Sequence, residues 1–403
     1  MATQLDESAI ADRINADSLR DILEKYTHND VEICNYTIED GAPKGQNFMS
    51  TVMRAKVTYK LHDDEQKTIS MILKTGLVDS ELAENSEYVF KIERDVYGPI
   101  MRQIRILLTS YGDCSVFGPK LIHDDTNLLV LEDLSEKGYK QPDRKQRLDM
   151  SHCKLLIRKL AKFHAATAVL GRKNPELFKL HTTSAFLDVA NQLRLYYLNS
   201  IAECISLAKT TTELKQYENF LRTFGENVIE RECAVFSQDN EEFPVLNHGD
   251  LWLNNVLWKY DSEGNVEDVL LIDYQECFYG SPGIDLNHFL YTSANNDVQS
   301  TGFEELIQIY VDELQSALLL FKYDATIPTL ESILHEMKKK LDHAVVVTTC
   351  IVPALIIERT ELATPENMLD DSEQARQARR EVFTNPKFVE ILKILLPKLA
   401  ADQ

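Results

Sequence analysis

The sequence has no excess of positive charge, no paired-cysteine spacing, no apolar run long enough for a membrane, and no internal repeat or low-complexity linker. Its 403 residues carry 43 Lys and Arg against 64 Asp and Glu, a formal net charge of −21. Such a field repels nucleic acid and anionic membrane surfaces, so neither is an expected partner. The seven cysteines, at positions 34, 114, 153, 204, 233, 277 and 350, are odd in number, scattered, and contain no C-x-x-C. That is the usage of a reducing compartment and points to a cytoplasmic protein. Residues 1–25 are acidic and amphipathic, without the basic cap and apolar stretch of a secretory signal, so no export is expected. The most apolar stretch, 344–357, is 14 residues long and holds Thr348, Thr349 and Pro353. It falls short of the ~20 residues a membrane helix needs, and a buried helix end is expected instead. With 44% hydrophobic and 27% charged residues, the chain has the balance of a folded globular protein. Its length calls for two lobes or two tightly joined domains.

What is present begins with a change of hydrophobic period. From Asp17 onward, Leu19, Ile22 and Leu23 are set among charges at the spacing of a short amphipathic helix. The period then drops to two. Met53, Ala55, Val57 and Tyr59 alternate with Arg54, Lys56, Thr58 and Lys60. After polar residues 62–66, Ile69, Met71 and Leu73 alternate with Ser70, Ile72 and Lys74, which predicts a small antiparallel sheet. Residues 81–104 have helical spacing with a break at Gly98-Pro99, and 127–131 form a short strand running into Glu132 and Asp133. Helices dominate thereafter: 149–170 with Gly171 as its C-terminal cap, 303–321 and 330–341. The expected architecture is α+β, with a sheet-bearing N-lobe over 1–131, a hinge over 132–138 and a larger, mainly helical C-lobe over 139–403. A cleft between lobes is the natural ligand site.

Residues 245–275 are the most informative. Apolar residues lead into His248-Gly249-Asp250-Leu251-Trp252-Leu253-Asn254-Asn255, and Val256-Leu257-Trp258 follow. Residues 261–265 are rich in turn formers, and 266–272 return as a strand ending at Asp273. In a hairpin centred on Gly264, Asn255 and Asp273 are each nine residues from the turn and face each other at the open end. One amide and one carboxylate, with room left for water and phosphate, suit Mg²⁺, which rarely takes an all-protein cage. An acidic body still binds ATP where a local lysine and divalent ions reverse the sign of the field. Asp250, five residues before Asn255, reaches the same pocket from the side where a hydroxyl would enter and is the candidate base, while His248 braces the loop. An isolated H-x-D is more often a surface turn. The D-x-x-x-x-N spacing, the hairpin and the closing Asp together set this segment apart from such accidents, and the expected chemistry is phosphoryl transfer to a hydroxyl.

These residues resemble the kinase-like phosphotransferases, whose catalytic loop H-x-D-x-x-x-x-N precedes a metal-binding Asp. Gly249 in place of the protein-kinase arginine, Ile272-Asp273-Tyr274-Gln275 in place of D-F-G, and the lack of an A-P-E segment point to small-molecule kinases of the aminoglycoside-phosphotransferase type. Within that group, residues 246–258 and 272–275 closely resemble the ecdysteroid kinase-like family. Residues 45–50, 72–74, 90–93, 131–134, 162–165 and 283–286 follow in that family's order, so the resemblance covers nearly the whole chain. It implies a bilobal protein-kinase-like fold, ATP and Mg²⁺ as cofactors, and an ecdysteroid or similar hydroxylated small molecule as acceptor. It also implies Lys74 on the ATP phosphates, Glu93 paired with it from a helix, and Glu132 to Leu134 as a hinge that holds adenine through backbone groups. The phosphate loop departs from G-x-G-x-x-G. Gly41 and Gly45 are phosphate contacts or plain turn glycines, and Ser50 is a further phosphate donor or a bystander. Asp285 is expected to accept backbone hydrogen bonds from the catalytic loop. His164 is expected to pack in the core, and Trp252 and Trp258 on either side of the loop, with contact to substrate the other reading of Trp252.

Two other readings use the same residues. One keeps the chemistry and changes the acceptor to choline, an aminoglycoside, or a plant or xenobiotic alcohol. The other is an inactive pseudokinase that binds a steroid-like ligand, which the presence of Lys74, Asp250, Asn255 and Asp273 argues against. A monomer or weak oligomer is expected.

Overall fold

The computed structural model describes residues 14–41, 50–61, 65–76, 83–184, 186–187, 190, 192–237 and 242–401. The chain divides into two compact units, one of residues 1–99 and 118–140, the other of 100–117 and 141–403.

The first unit opens with α1 (Ala16–Thr27). Asn15 caps it: its side chain accepts from the backbone N–H of Asp17 and Ser18, and the Ser18 hydroxyl accepts from the N–H of Asn15 in return. Strands β1 (Glu32–Asp40), β2 (Ser50–Lys60) and β3 (Gln66–Gly76), helix α2 (Ala83–Asp95), and strands β4 (Leu121–Asp124) and β5 (Leu129–Glu132) complete it. The five strands form one antiparallel sheet in the order β1-β2-β3-β5-β4. Because side chains alternate along a strand, Met53, Ala55, Val57, Tyr59, Met71 and Leu73 all emerge on one face, where they bury Leu19, Ile22 and Leu23 of α1. Each buried Val, Leu, Ile or Met among them contributes roughly 1.5–3 kcal/mol. The other face carries Arg54, Ser70, Ile72 and Lys74, with Ile72 directly opposite Arg54.

The second unit is mainly helical. Its helices are α3 (Met101–Ser110), α4 (Met150–Lys173), α5 (Arg194–Thr210), α6 (Glu218–Glu226), α7 (Val228–Val235), α8 (Gly283–Thr292), α9 (Asn296–Thr301), α10 (Phe303–Leu320), α11 (Leu330–Lys339), α12 (Leu341–Val346), α13 (Val352–Ile356), α14 (Pro365–Leu369), α15 (Glu373–Phe383) and α16 (Pro386–Ala401). Two short antiparallel ladders lie among them, β6 (Val245–Asn247) with β9 (Phe278–Gly280), and β7 (Val256–Tyr260) with β8 (Val266–Leu271). The central helix α4 is capped by Asp149, packs against α10, and is almost continuously buried from Phe163 to Gly171.

Three expectations need correction or refinement. Gly171 does not end α4, which continues to Lys173; it lets Tyr279 approach, since a Cβ there would lie 1.9 Å from the Tyr279 hydroxyl. At Gly98-Pro99 the chain makes a π-helical turn, Val96–Ile100, which absorbs the proline's missing donor without ending the helical run. The apolar stretch 344–357 likewise passes through a π turn, Val347–Ile351, and is largely buried. Among the described residues no helix is long and apolar enough to cross a membrane, and none of the seven cysteines is in a disulfide.

Candidate active site

β6 delivers the chain to residue 248, and a buried carboxylate then fixes the loop. Asp285, near the start of α8 and wholly buried, accepts from the N–H of His248 at 2.7 Å and of Gly249 at 3.0 Å. His164 Nε2 lies 3.2 Å from the same carboxylate, and its Nδ1 is 2.7 Å from the Tyr310 hydroxyl. Asp285 therefore supports the loop from behind, as expected, and His164, expected only to pack, also holds Asp285. His248 is buried, and burial pushes its pKa down, so the ring is neutral. Its Nε2 is 2.9 Å from the carbonyl of Ile272, which can only accept, so that nitrogen carries the hydrogen. Gly249 has φ +83°, and a Cβ there would meet the Glu276 carbonyl oxygen at 1.9 Å. The arginine of protein kinases cannot stand at this position in this fold.

Past Gly249 the loop presents Asp250 and folds back on it. Asn255 is buried, and its Nδ2 donates to the main-chain O of Asp250 at 2.9 Å and to Oδ2 at 2.8 Å. Trp252 Nε1 donates to the same Oδ2 at 3.1 Å. Trp252, expected to pack beside the loop or to touch substrate, thus also holds Asp250; an indole N–H two residues from an Asp is the signal the sequence carries. Trp258, by contrast, is fully buried.

The hairpin has its turn one residue earlier than expected. Tyr260 pairs with Val266, and a register shift between Lys259 and Tyr260 leaves Val256 opposite Leu271. Ile272 N–H donates to Asn255 O at 3.0 Å, so Asn255 stands opposite Ile272 and not Asp273. Asp273 follows with φ 66° and ψ 61°, a left-handed conformation uncommon outside glycine, which turns the chain after β8. The amide and the carboxylate still end at the same end of the hairpin. Burial first, and then the charge of Asp273, push the Asp250 pKa up to about 7, against the pull of hydrogen bonds from Asn255 and Trp252. About a quarter of the Asp250 side chain, 26%, still meets solvent.

Among the described residues no three His, Cys, Asp or Glu side chains cluster so as to hold a metal ion by themselves. Mg²⁺ does not require that, because it takes one or two protein oxygens and completes its shell with water and phosphate. The donor set fits. Asp250 fixes which way the Asn255 amide faces, and the amide oxygen is left on the side away from Asp250, as a ligand to a hard cation must be.

In the first unit, Lys74 Nζ lies 2.6 Å from Glu93 Oε2, with side chains only 7% and 1% exposed. Burial on that scale rules out a surface ion pair. The N–H of Glu132 donates to Lys120 O at 2.9 Å, its carboxylate pairs with Lys137 at 2.5 Å, and buried Leu134 opens a single 3₁₀ turn. The residue between them was missed. Asp133 is buried and accepts from Arg54 Nε at 2.8 Å, Ser70 Oγ at 2.7 Å, and Ser135 N and Oγ at 3.0 and 2.6 Å. Burial raises its pKa, but the bonds from Ser135, Ser70 and Arg54 outweigh that and hold it below the usual carboxylate range. The D-x-S spacing is an Asx-turn signal that sequence carries; the links to β2 and β3 are not. Gly45 lies outside the described residues, and Ser50 is the first residue of β2.

No curated protein matches the chain. The model of the ecdysteroid kinase-like family matches residues 44–323, a span that holds the Lys74–Glu93 pair, the loop with Asp250 and Asn255, Asp273 and the supporting Asp285. A loop pinned from behind by one buried acid, presenting a second acid hydrogen-bonded to an asparagine and followed by a third on a hairpin, is thus found where the family's pattern runs, and the chain belongs to the ecdysteroid kinase-like family.

Proposed function

We propose that this protein is an ATP-dependent phosphotransferase that phosphorylates an alcohol group of a small molecule, an ecdysteroid or similar hydroxylated compound, in the cytoplasm. The reading includes a bilobal protein-kinase-like fold, with an N-lobe over 1–131, a hinge over 132–138 and a C-lobe over 139–403. The observation that carries it is the loop itself: Asp250 bonded to Asn255 and Trp252, raised to about 7, beside Asp273.

A hydroxyl needs orientation and a place for its proton, and little else, because phosphoryl transfer is mostly positioning and charge neutralisation. Asp250 orients the hydroxyl and accepts that proton, and a value near 7 matches a base to neutral pH. Asn255 and Asp273 would hold Mg²⁺, which when bound neutralises charge on the transferring group. Lys74, kept in place by Glu93, contacts the ATP phosphates. The backbone of Glu132 to Leu134 takes adenine, with Gly45 and Ser50 at the phosphates.

Incubation with ATP, Mg²⁺ and ecdysone, followed by mass spectrometry, is expected to give a product heavier by one phosphoryl group. Absence of that ester together with ADP release on another alcohol moves the acceptor. No acceptor-dependent ADP release across a panel of steroid, choline, aminoglycoside and xenobiotic alcohols overturns the enzymatic reading in favour of a ligand-binding pseudokinase.

A further inference from the structure

Behind Asp250 stands a row of three buried titratable side chains from three helices. Glu232 of α7, His343 of α12 and His288 of α8 are 2%, 4% and 2% exposed. Glu232 Oε1 lies 2.7 Å from His343 Nδ1, and His343 Nε2 lies 3.2 Å from His288 Nδ1, the two rings meeting edge to face. His288 Nε2 makes no well-formed hydrogen bond among the described residues; the Gly249 main chain lies near the ring, and Nε2 faces Asp250 Oδ1 at 3.6 Å. Leaving a buried polar atom unmatched costs about 1–3 kcal/mol, so a nitrogen kept there and aimed at the candidate base calls for a reason.

The Glu232 carboxylate accepts, so His343 Nδ1 carries a hydrogen. One further hydrogen lies between His343 Nε2 and His288 Nδ1. If it sits on His288, Nε2 turns a lone pair toward Asp250, which repels it whenever Asp250 is ionised, the state a base must hold to accept a proton. If it sits on His343, that ring is an imidazolium beside Glu232, and neutral His288 carries its own hydrogen on Nε2, facing Asp250. Burial, then His343 and then His248, push the His288 pKa well down, so a neutral His288 agrees with its surroundings. The other titratable groups on the packed elements are engaged elsewhere. Asp285 holds the loop and His164, Glu336 pairs with Lys339, Lys340 donates to the carbonyls of Val235 and Ser237, and Asp342 pairs with Arg231.

We propose that Glu232 and His343 set the tautomer of His288 so that its Nε2–H holds Oδ1 of Asp250, making His288 a positioning residue for the base. This rests on the reading of Asp250 as that base. Asp250 Oδ2 is already held by Asn255 and Trp252. A donor on Oδ1 fixes the second oxygen, leaving one lone pair of Oδ1 to receive the acceptor hydroxyl. The 3.6 Å separation is beyond a formed hydrogen bond, and contacts to a catalytic base in free enzymes are often long and tighten once substrate is bound.

The test combines long-range ¹H–¹⁵N spectra of the ¹⁵N-histidine-labelled free protein with turnover measurements. His288 is expected protonated at Nε2 in the wild type with His343 carrying hydrogens on both nitrogens, and in Glu232→Gln, which has no carboxylate to balance that charge, His343 is expected to lose one of them. His288→Leu is expected to lower kcat about 10- to 100-fold with KM for ATP unchanged, as loss of a supporting partner does. His288→Gln, whose amide nitrogen reaches the Nε2 position, is expected to restore kcat to within a few-fold. An Nδ1–H tautomer in the wild type, or wild-type kcat in His288→Leu, overturns the proposal. Should the wild type transfer phosphate to no acceptor, the enzymatic reading fails on its own. The spectra still decide the row: an Nε2–H signal that shifts in Asp250→Asn supports it, and one that does not overturns it.

Discussion

The side-chain nitrogen of Asn255 donates to Asp250 twice, at 2.9 Å to the main-chain oxygen and 2.8 Å to Oδ2. One amide therefore shapes the loop, orients the candidate base and aims its own oxygen elsewhere. Asn255→Ala is expected to raise the Mg²⁺ concentration for half-maximal turnover by at least roughly 10- to 100-fold, the range for losing a contact that only supports a metal ligand. Titrating activity against Mg²⁺ checks this, and an unchanged midpoint removes Asn255 from the ligand set. Asn255→Asp is expected to be worse, because it faces one carboxylate with another.

Asp250→Asn is expected to lower turnover by about 10²–10⁴-fold, the usual contribution of a positioned base, while ATP binding is retained. The same variant tests the raised pKa. The folded value of about 7 lies above the ordinary 3.8, so the fold favours the neutral acid. That preference is fully present below pH 4 and is lost as pH rises through 7. Asparagine is neutral at every pH. The variant should thus melt at a higher temperature than the wild type at pH 8 and at the same temperature near pH 4, with a gain of at most ~4 kcal/mol. A pH-independent difference in melting temperature would assign the effect to packing instead.

The wild-type turnover should have an acid limb, falling as pH drops below about 7, because Asp250 must be ionised to accept the hydroxyl proton. Asp273→Asn removes the neighbouring charge that helps raise Asp250 and should move that limb to lower pH, whatever it does to the maximum rate. A limb that stays in place would show that burial alone raises the group.

Lys74 and Glu93 meet at 2.6 Å in a buried setting, so removing one partner breaks a buried ion pair. Glu93→Ala is expected to destabilise the protein by about 3–5 kcal/mol. The double variant Lys74→Met with Glu93→Leu should recover most of that stability without recovering turnover. Chemical denaturation and ADP release on the same samples separate the two effects. Full activity in the double variant would leave the pair with a purely structural role.

Gly249→Ala places a Cβ 1.9 Å from the Glu276 oxygen at a φ of +83°. Backbone strain of this kind costs roughly 1–3 kcal/mol, and the overlap adds to it. The loop must move to relieve it, carrying Asp250 with it, so kcat should fall more than ATP affinity. A crystal structure of the variant with the loop unmoved would contradict this.

Short-range patterns carried much of this protein. Alternation at 53–59 and 69–74 fixes which strand faces are buried because side chains on a strand point to opposite sides in turn. The turn formers at 261–265 and the apolar arms beside them specify a hairpin, and with it the neighbourhood of Asn255 and Asp273. Register escaped by one residue, because it depends on where the bulge falls, and that is decided by packing of both strands. The Gly171 contact with Tyr279, the ties of Asp133 to Arg54 and Ser70, and the row Glu232–His343–His288 behind Asp250 join residues 55 to 111 positions apart. No periodicity records such pairs. Local sequence determined the chemistry available at the loop, since spacing along a strand or turn is fixed by covalent geometry. Tertiary structure alone decided which distant side chains stand behind that loop, since their meeting depends on how separate helices pack.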